Sequence, residues 1–426
     1  MSSNPSESRR HFLKASSAAL AGSTLAPLAL GGVHSAGSDV LKVGLIGCGG
    51  RGTGAAANAM RADPQTQLYA MGDAFSDQLN NSLNNLKKQD FADRINVPEE
   101  RCFVGFDAYK QVIDACDVVL LATSPHFRPM HLEACLAAGR HVFCEKPVAV
   151  DGPGLRRVLE VTRAMKASKL NLVSGLCYRY QFAKQETIKR IHDGAIGDVK
   201  AMQCTYNTGG LWHRGHQPHW SDMEYQMRNW LYFYWLSADH AAEQHIHSLD
   251  KLLWAMNDEP PVKCTASGGR SVRTEEKYGN VFDHFNTVFE WKDGLRGFSS
   301  CRQWVGCKSD VSDYLFGTKG RANIQRHSIE GEAGKWRHRG EGPDDMYQNE
   351  HNALFAAIRA GEAINNGEYM CKSTLMALMV RMSAYTGQEI TWEQALNSQE
   401  DLTPPAYDWI SLEPAPVSRP GITKFA

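Results

Sequence analysis

Long apolar runs, an excess of charge of either sign and sequence repeats are all missing from this chain. None of its apolar stretches reaches the roughly 18 residues that a membrane-spanning helix needs, so no membrane span is predicted. Lysine and arginine (46) nearly balance aspartate and glutamate (47), which gives no electrostatic reason to expect nucleic acid as a partner. Without repeats or low-complexity segments, the 426 residues, 42% of them hydrophobic, indicate a globular protein with room for two domains.

Paired cysteines are missing as well. The chain has 11 cysteines, an odd number, and no two of them are spaced as C-x-x-C. Most lie in segments that are predicted to be strands or helices. This pattern favours small buried hydrophobic side chains over a disulfide framework.

Residues 1–38 are predicted to be an export signal and linker rather than part of the fold. The string Ser-Arg-Arg-His-Phe-Leu-Lys at 8–14 precedes a weakly apolar stretch at 15–30, which Gly22 and Pro27 interrupt. This arrangement is typical of a twin-arginine signal, which exports folded proteins. A periplasmic or other extracytoplasmic location is therefore predicted, with a chance basic pair on a tail as the alternative.

Short apolar strands alternate with helical segments in the first part of the chain. Strands are predicted at 40–46, 67–72, 102–104, 118–122, 141–144 and 172–175, and helices at 54–61, 77–88, 108–115 and 129–138. Such alternation with short loops is typical of a parallel, doubly wound α/β sheet. We assign residues 39–172 to this Rossmann-type domain.

Strand-like runs dominate the rest of the chain. They are predicted at 200–206, 262–266, 285–291, 296–302 and 314–317, with helices at 182–193, 241–256, 349–360 and 373–386 and a helix-capping box at 391–394. We predict a second α/β domain with a large, mostly antiparallel sheet at 173–400, followed by a C-terminal tail at 401–426.

A glycine-rich turn follows the first predicted strand. It reads Gly47-Cys48-Gly49-Gly50-Arg51-Gly52, a G-x-G-x-x-G pattern before a helix, and Asp73 closes the second strand. Such glycines let the backbone approach a pyrophosphate, and an acid at this place accepts hydrogen bonds from ribose hydroxyls. We predict that the turn and Asp73 bind NAD, with NADP disfavoured because Asp73 would repel a 2′-phosphate. The alternative role of Asp73 is that of a strand-end turn former.

Two further segments follow later strands of the same predicted sheet. Glu145-Lys146-Pro147 comes directly after the strand at 141–144, and Thr123-Ser124-Pro125-His126 follows the strand at 118–122. Ligands of such sheets bind at the carboxyl ends of the strands, so both segments are predicted to contact the cofactor. Lys146 could also hydrogen-bond the substrate hydroxyl on the carbon that loses its hydride. An ion pair at the strand end and a plain turn after residue 122 are the alternatives.

These motifs resemble the Gfo/Idh/MocA oxidoreductases over about residues 40–395. The resemblance rests on Gly47–Gly52, Asp73, the Thr123 loop with His131, Glu145-Lys146-Pro147, Arg179 and Gly194-x-x-Gly197. It implies an N-terminal Rossmann domain and a C-terminal α/β domain whose open sheet often mediates homo-oligomers. It also implies a cofactor contact for Arg179 and a site for a sugar, cyclitol or derivative between the domains.

The second catalytic segment of that family usually has an Asp and a His four residues apart, with another Asp three residues further on. Glu243, His247 and Asp250 occupy these places, and on a helix they share one face. We predict that His247 is a catalytic acid/base and that Glu243 orients it. His245 would point away from that face and pack, with a role in the substrate domain as the alternative.

Histidines are dense in this segment and upstream, at 213, 216, 219, 240, 245 and 247. Together with Glu243 they leave a zinc site as a competing interpretation. No strict ligand spacing such as H-E-x-x-H is present, and the family's chemistry needs no metal. We therefore predict no metal site.

The segment from 206 to 235 is rich in aromatic and hydrogen-bonding side chains. Sugar sites use such aromatic faces with polar edges, although an aromatic layer packed between domains or subunits would have the same composition. The predicted substrate-binding residues are Tyr180, Tyr206, Trp212, His213, Arg214, Trp230 and Arg302.

The motifs together predict an NAD-dependent oxidoreductase that transfers a hydride between a sugar or cyclitol CH–OH and the nicotinamide. Because the predicted destination holds little free cofactor, we expect NAD to be tightly bound. A redox-neutral NAD-dependent glycosidase or lyase of the same superfamily is one alternative. A non-catalytic NAD-bound sugar sensor or scaffold is the other.

Overall fold

The first sheet of the computed structural model, which describes residues 40–340 and 342–426, is the predicted parallel one. In this part of the chain six parallel strands follow the order β3-β2-β1-β4-β5-β6. They are β1 (Leu41–Ile46), β2 (Thr66–Asp73), β3 (Cys102–Val104), β4 (Val118–Leu121), β5 (His141–Cys144) and β6 (Leu172–Ser174). Every residue of β4 is buried, as expected for a strand whose sheet is covered on both faces. The predicted export signal at 1–38 lies outside the described residues.

Helices alternate with these strands. They are α1 (Gly50–Ala62), α2 (Ser76–Leu86), α3 (Ala108–Ala115), α4 (Arg128–Ala137) and α5 (Gly152–Ala167). The first four confirm predicted helices to within a few residues. The sequence patterns did not reveal α5, because it begins with Gly-Pro-Gly, which are poor helix formers. Its start is stabilised instead by Asp151, whose carboxylate accepts a hydrogen bond from the Gly154 N–H.

The second sheet has nine strands within the described residues, in the order β14-β13-β12-β11-β7-β10-β9-β8-β15. They are β7 (Val199–Thr208), β8 (Lys263–Gly269), β9 (His284–Glu290), β10 (Arg296–Gln303), β11 (Asp310–Gly317), β12 (Gly320–Asn323), β13 (Ser328–Gly331), β14 (Gly334–Arg337) and β15 (Ile390–Thr391). Only β7 and β10 pair in parallel among these strands, which confirms the predicted mostly antiparallel sheet.

The remaining helices are α6 (Phe182–His192), α7 (Asp222–Arg228), α8 (Tyr234–Ser237), α9 (Asp239–Glu243), α10 (Ile246–Ala255), α11 (Met346–Ala360), α12 (Gly367–Thr386) and α13 (Trp392–Asn397). The predicted capping box at Thr391 and Gln394 is present at the start of α13. Helices α10 and α12 pack on one face of the second sheet. Burial alternates along β9 and β10, so the opposite face is open.

The prediction of a single helix at 241–256 is wrong, because the chain forms two helices there, α9 and α10. Gln244 at the break has φ −114° and ψ −47°. The following His245 is fully buried, and its Nε2 lies 2.6 Å from the Ser299 hydroxyl on β10. This contact with a distant strand was invisible in the local helical pattern.

Helix α11, although it lies late in the chain, packs against the first sheet. Its Leu354, Phe355 and Ile358 belong to the same hydrophobic cluster as Leu45 of β1 and Leu120 of β4. Residues far beyond the Rossmann segment therefore complete the core of that segment. Nine of the 11 cysteines are buried, all but Cys102 and Cys307, as expected for small apolar side chains.

Candidate active site

The glycine-rich turn is held in a conformation that only glycine fits at two positions. Gly47 has φ +94°, and a Cβ there would lie 2.6 Å from the backbone of Ala122 and Thr123. A Cβ on Gly52 would lie 1.9 Å from the Gly47 carbonyl oxygen. Gly49, the N-cap of α1, offers no side chain to the first amides of the helix. The turn therefore presents free N–H donors and the positive end of a helix, which fits a pyrophosphate.

Asp73 closes β2 beside this turn. Its carboxylate accepts hydrogen bonds from the N–H groups of Cys48 (2.6 Å) and Phe75 (2.9 Å). Burial raises the pKa of Asp73, although these two hydrogen bonds oppose the shift. Asp73 therefore holds the turn in place and also lies on the wall of the adjoining cavity. There its remaining lone pairs can accept hydrogen bonds from ribose hydroxyls.

A cavity of about 390 Å³ opens between the glycine turn and the segment 212–230. The predicted cofactor residues on its wall are Gly47, Gly49, Gly50, Arg51, Gly52, Asp73, Thr123 and Ser124. Trp212, Arg214 and Trp230, which were predicted to bind substrate, lie on the same wall. The structure thus brings three predicted substrate residues to the cavity that the predicted cofactor residues line. The volume falls in the range of small-molecule sites.

The Arg51 guanidinium connects this turn to the Glu-Lys-Pro segment. Its Nε contacts the Glu145 carboxylate, and its Nη2 lies 2.6 Å from Oε1 of Glu350, on α11. Burial would raise the pKa of Glu145, but the cations of Arg51, Lys146 and Arg128 lower it overall. Burial and the charge of Glu145 hold the pKa of Glu350 well above its usual range. Arg51 thus connects Glu145, at the end of β5, with Glu350 of α11.

Lys146 lies at the carboxyl end of β5 and reaches across to the second domain. Its ammonium donates to the Glu243 carbonyl oxygen and lies 3.7 Å from Oε1 of the Glu243 carboxylate. Glu243 therefore pairs with Lys146, whereas it was predicted to orient His247. Parallel strands put their carboxyl ends at one edge of a sheet, so Lys146 lies at the same edge as the glycine turn.

His247 is half-buried at the start of α10. Its ring lies edge-on to Tyr178, with 5.3 Å between the ring centroids. Its Nδ1 is buried without a hydrogen-bond partner among the described residues. Burial, reinforced by the Lys146 cation, lowers the pKa of His247 well below its usual value. The imidazole is therefore neutral at neutral pH.

Both halves of the chain match one protein family. The NAD-binding Rossmann model of the Gfo/Idh/MocA oxidoreductase family matches residues 41–173, and a Gfo/Idh/MocA C-terminal domain model matches residues 185–323. Together these stretches cover more than half of the chain. The chain belongs to the Gfo/Idh/MocA family. Its first domain is therefore an NAD-binding Rossmann fold.

Named relatives within the family include cyclitol enzymes. An inositol 2-dehydrogenase of Klebsiella pneumoniae (strain 342) is 32% identical over 152 residues, which is 35% of this chain and 38% of that enzyme. The chain thus spans well under half of that relative's length. A myo-inositol 2-dehydrogenase of Thermotoga maritima is 25% identical over 284 residues, 66% of this chain and 74% of that enzyme.

A solved structure has the same fold. It is a scyllo-inositol dehydrogenase from Lactobacillus casei, with bound cofactor NAD(H) and scyllo-inositol. It superimposes with a TM-score of 0.63 at 18% identity and covers 83% of this chain and 100% of its own.

Two predicted site residues, Arg179 and Tyr180, do not line the cavity beside the glycine turn. Arg179 forms a buried double ion pair with Asp250 (2.8 Å) and Asp258 (2.6 Å), so its guanidinium is engaged within the second half of the chain. The Tyr180 hydroxyl donates to the Asn366 side chain (2.7 Å).

Three further predicted substrate residues contact side chains or backbone of the second domain. Tyr206 lies on β7 with its ring 6.1 Å from that of His240. His213 contacts the Lys277 carbonyl oxygen at 3.0 Å, and Arg302 donates to the Lys308 carbonyl oxygen at 2.8 Å. None of these three lies on the wall of the described cavity.

Four more predicted cofactor residues are buried and do not line the cavity: Cys48, Pro125, His126 and Glu145. The His126 Nε2 lies 3.0 Å from the Tyr407 hydroxyl, so this ring contacts the C-terminal tail. Burial lowers the pKa of His126 to about 4, and the ring is neutral at neutral pH.

Arg128 and Tyr178 were not predicted to belong to the site. The buried Arg128 guanidinium donates to the Pro147 carbonyl oxygen and, at 2.6 Å, to that of Thr123. It thereby fastens the Thr123 loop to the Glu-Lys-Pro segment. An arginine between Phe127 and Pro129, in an otherwise apolar stretch, is the signal that could have indicated this role.

No helix in the described residues is long and apolar enough to cross a membrane. Within 40–340 and 342–426, no three His, Cys, Asp or Glu side chains are placed to hold a metal ion. His240 and His245 instead contact the Tyr206 carbonyl oxygen and the Ser299 hydroxyl.

Proposed function

We propose that this protein is an NAD-dependent oxidoreductase that transfers a hydride between a cyclitol or sugar CH–OH and the nicotinamide. The observation that carries the proposal is the position of Lys146, which projects from the carboxyl edge of the NAD-binding sheet towards Glu243 of the second domain. The charge of the Lys146 ammonium also reaches His247, whose pKa it helps to lower. The inositol dehydrogenases among the relatives support a polyhydroxylated substrate.

Lys146 and His247 have complementary roles in this proposal. The Lys146 ammonium donates a hydrogen bond to the reacting oxygen, and the neutral His247 imidazole takes the hydroxyl proton as the C–H hydride leaves. Bound NAD supplies the hydride acceptor. The Glu243 carboxylate and carbonyl oxygen hold the Lys146 ammonium in place.

The test is NAD reduction by the purified protein with a panel of inositols and aldoses, followed by NADH absorbance. Replacing Lys146 by methionine should lower kcat by about 10²–10⁴-fold, the usual contribution of such a group, with NAD affinity retained. Lys189→Met is the matched control, because the Lys189 ammonium is exposed and pairs with Asp193. A K146M protein that turns over at the wild-type rate would refute the assignment.

We further propose that the protein is exported by its twin-arginine string at 8–14 and keeps NAD through each cycle. A location with little free cofactor supports a bound NAD that is reduced and reoxidised in place. The test is to purify the mature protein without added cofactor, release any nucleotide with acid, and measure the NAD-to-protein ratio. A ratio near one supports the closed cycle, whereas an empty protein with weak NAD binding contradicts it.

We also propose a homo-oligomer formed through the open face of the second sheet. Phe298 on β10 and Phe316 on β11 are exposed there by 45% and 40%, and apolar side chains in such positions favour association. Light scattering of the purified protein tests this, and a monomer at micromolar concentration would contradict it.

A further inference from the structure

The C-terminal tail, residues 401–426, is fastened to both halves of the chain. The Leu402 N–H donates to the Asp151 carboxylate (3.0 Å), at the start of α5 in the Rossmann segment. The Leu412 N–H donates to the Asp222 carboxylate (3.0 Å), at the start of α7. The stretch between these two anchors therefore crosses from one half of the chain to the other.

Two aromatic residues within this crossing contact the Rossmann segment. Trp409 stacks on Phe75, with 5.4 Å between ring centroids, and lies 4.8 Å from the ring of Phe106. The Tyr407 hydroxyl contacts Nε2 of His126 at 3.0 Å. Trp409 remains 39% exposed, so it covers Phe75 and Phe106 from the solvent side.

Phe75 and Phe106 are themselves walls of the NAD cavity, next to Asp73. Trp212 and Trp230 line the same cavity. The acid that ends the second strand of a Rossmann domain binds the adenosine ribose, so this aromatic end of the cavity is the adenosine end. Aromatic faces of this kind hold a planar base well.

We infer that residues 407–412 of the tail form a clasp behind the adenosine end of the cavity, and that Trp409 keeps NAD bound by holding Phe75 and Phe106 against the adenine. This inference rests on the proposed NAD-dependent function. The clasp has no helix or strand of its own, and its hydrogen bonds to the second domain all go to one turn of α7, at Asp222, Met223 and Gln226. It can therefore open locally and more cheaply than the core. Its opening would then set the rate at which the nucleotide leaves.

The experiment measures NADH dissociation from the full-length holoprotein by stopped-flow fluorescence, with excess NAD as the chaser. Trp409→Ala removes two ring contacts, and we expect NADH to dissociate about tenfold faster or more. ADP-ribose should bind about tenfold more weakly, whereas the affinity for nicotinamide mononucleotide should be unchanged. Trp336→Ala is the matched control, because Trp336 is a half-buried tryptophan on β14 in the second sheet.

Asp222→Asn is a second variant that weakens a tail anchor without altering the cavity wall, and it should also accelerate dissociation. It keeps the test valid if W409A does not fold. A wild-type protein that binds neither NADH nor ADP-ribose would refute both the NAD function and the clasp. A wild-type protein that binds NADH, with variants that release it at the wild-type rate, would refute the clasp alone.

Discussion

Replacing Gly52 by alanine should destabilise the glycine-rich turn, whereas the same change at Gly50 should not. An added Cβ at Gly52 would lie 1.9 Å from the Gly47 carbonyl oxygen, and the turn backbone would have to move. Overpacking a core usually destabilises by about 1–3 kcal/mol, and here the obstacle is backbone rather than a flexible side chain. We therefore expect the free energy of unfolding to fall by about 3 kcal/mol. At Gly50, no atom lies within 4 Å of the added Cβ.

The assay is urea unfolding of the wild type, G52A and G50A, with NAD titration of each protein. G50A should be as stable as the wild type within about 0.5 kcal/mol, because alanine is the better helix former at the start of α1. Any loss of NAD affinity by G50A without loss of stability would place the nucleotide against the turn. A G52A protein with wild-type stability would show that the turn is looser than the structure indicates, and would refute the reasoning.

Two further variants test the buried polar groups around the site. His131 has its pKa lowered by burial to about 3, below the unfolded value of about 6.5, so its stabilising contribution is complete above about pH 6.5 and is lost as the pH falls towards 3. Between about pH 8 and pH 5 the wild type should lose roughly 2 kcal/mol more stability than His131→Gln in urea unfolding, and parallel losses would contradict a neutral buried imidazole. Arg128→Met leaves the Pro147 and Thr123 carbonyl oxygens without this donor, and it should lower the free energy of unfolding by about 3 kcal/mol. A measured loss below about 1 kcal/mol would show that water replaces the guanidinium.

The parts of the site that the sequence predicts are those whose geometry is local. The glycine turn and Asp73 belong to one strand–turn–helix–strand unit, and Lys146 directly follows a strand, so short stretches of sequence place them. The partners of these residues were not predictable in the same way. Arg51 meets Glu350 across 299 residues of sequence, and Trp409 reaches Phe75 only through the path of the tail. Such pairs depend on how helices and loops from separate parts of the chain pack.

The break between α9 and α10 shows how one such tertiary contact determines the chemistry. In a continuous helix, the Glu243 carbonyl oxygen would accept the N–H of His247, four residues on. Here the His247 N–H donates to the Gln244 carbonyl oxygen instead (3.2 Å). The Glu243 carbonyl is thereby left at the carboxyl end of α9, where helix carbonyls carry partial negative charge, and it accepts the Lys146 ammonium. The irregularity that makes the helical prediction wrong is thus what provides Lys146 with its partner.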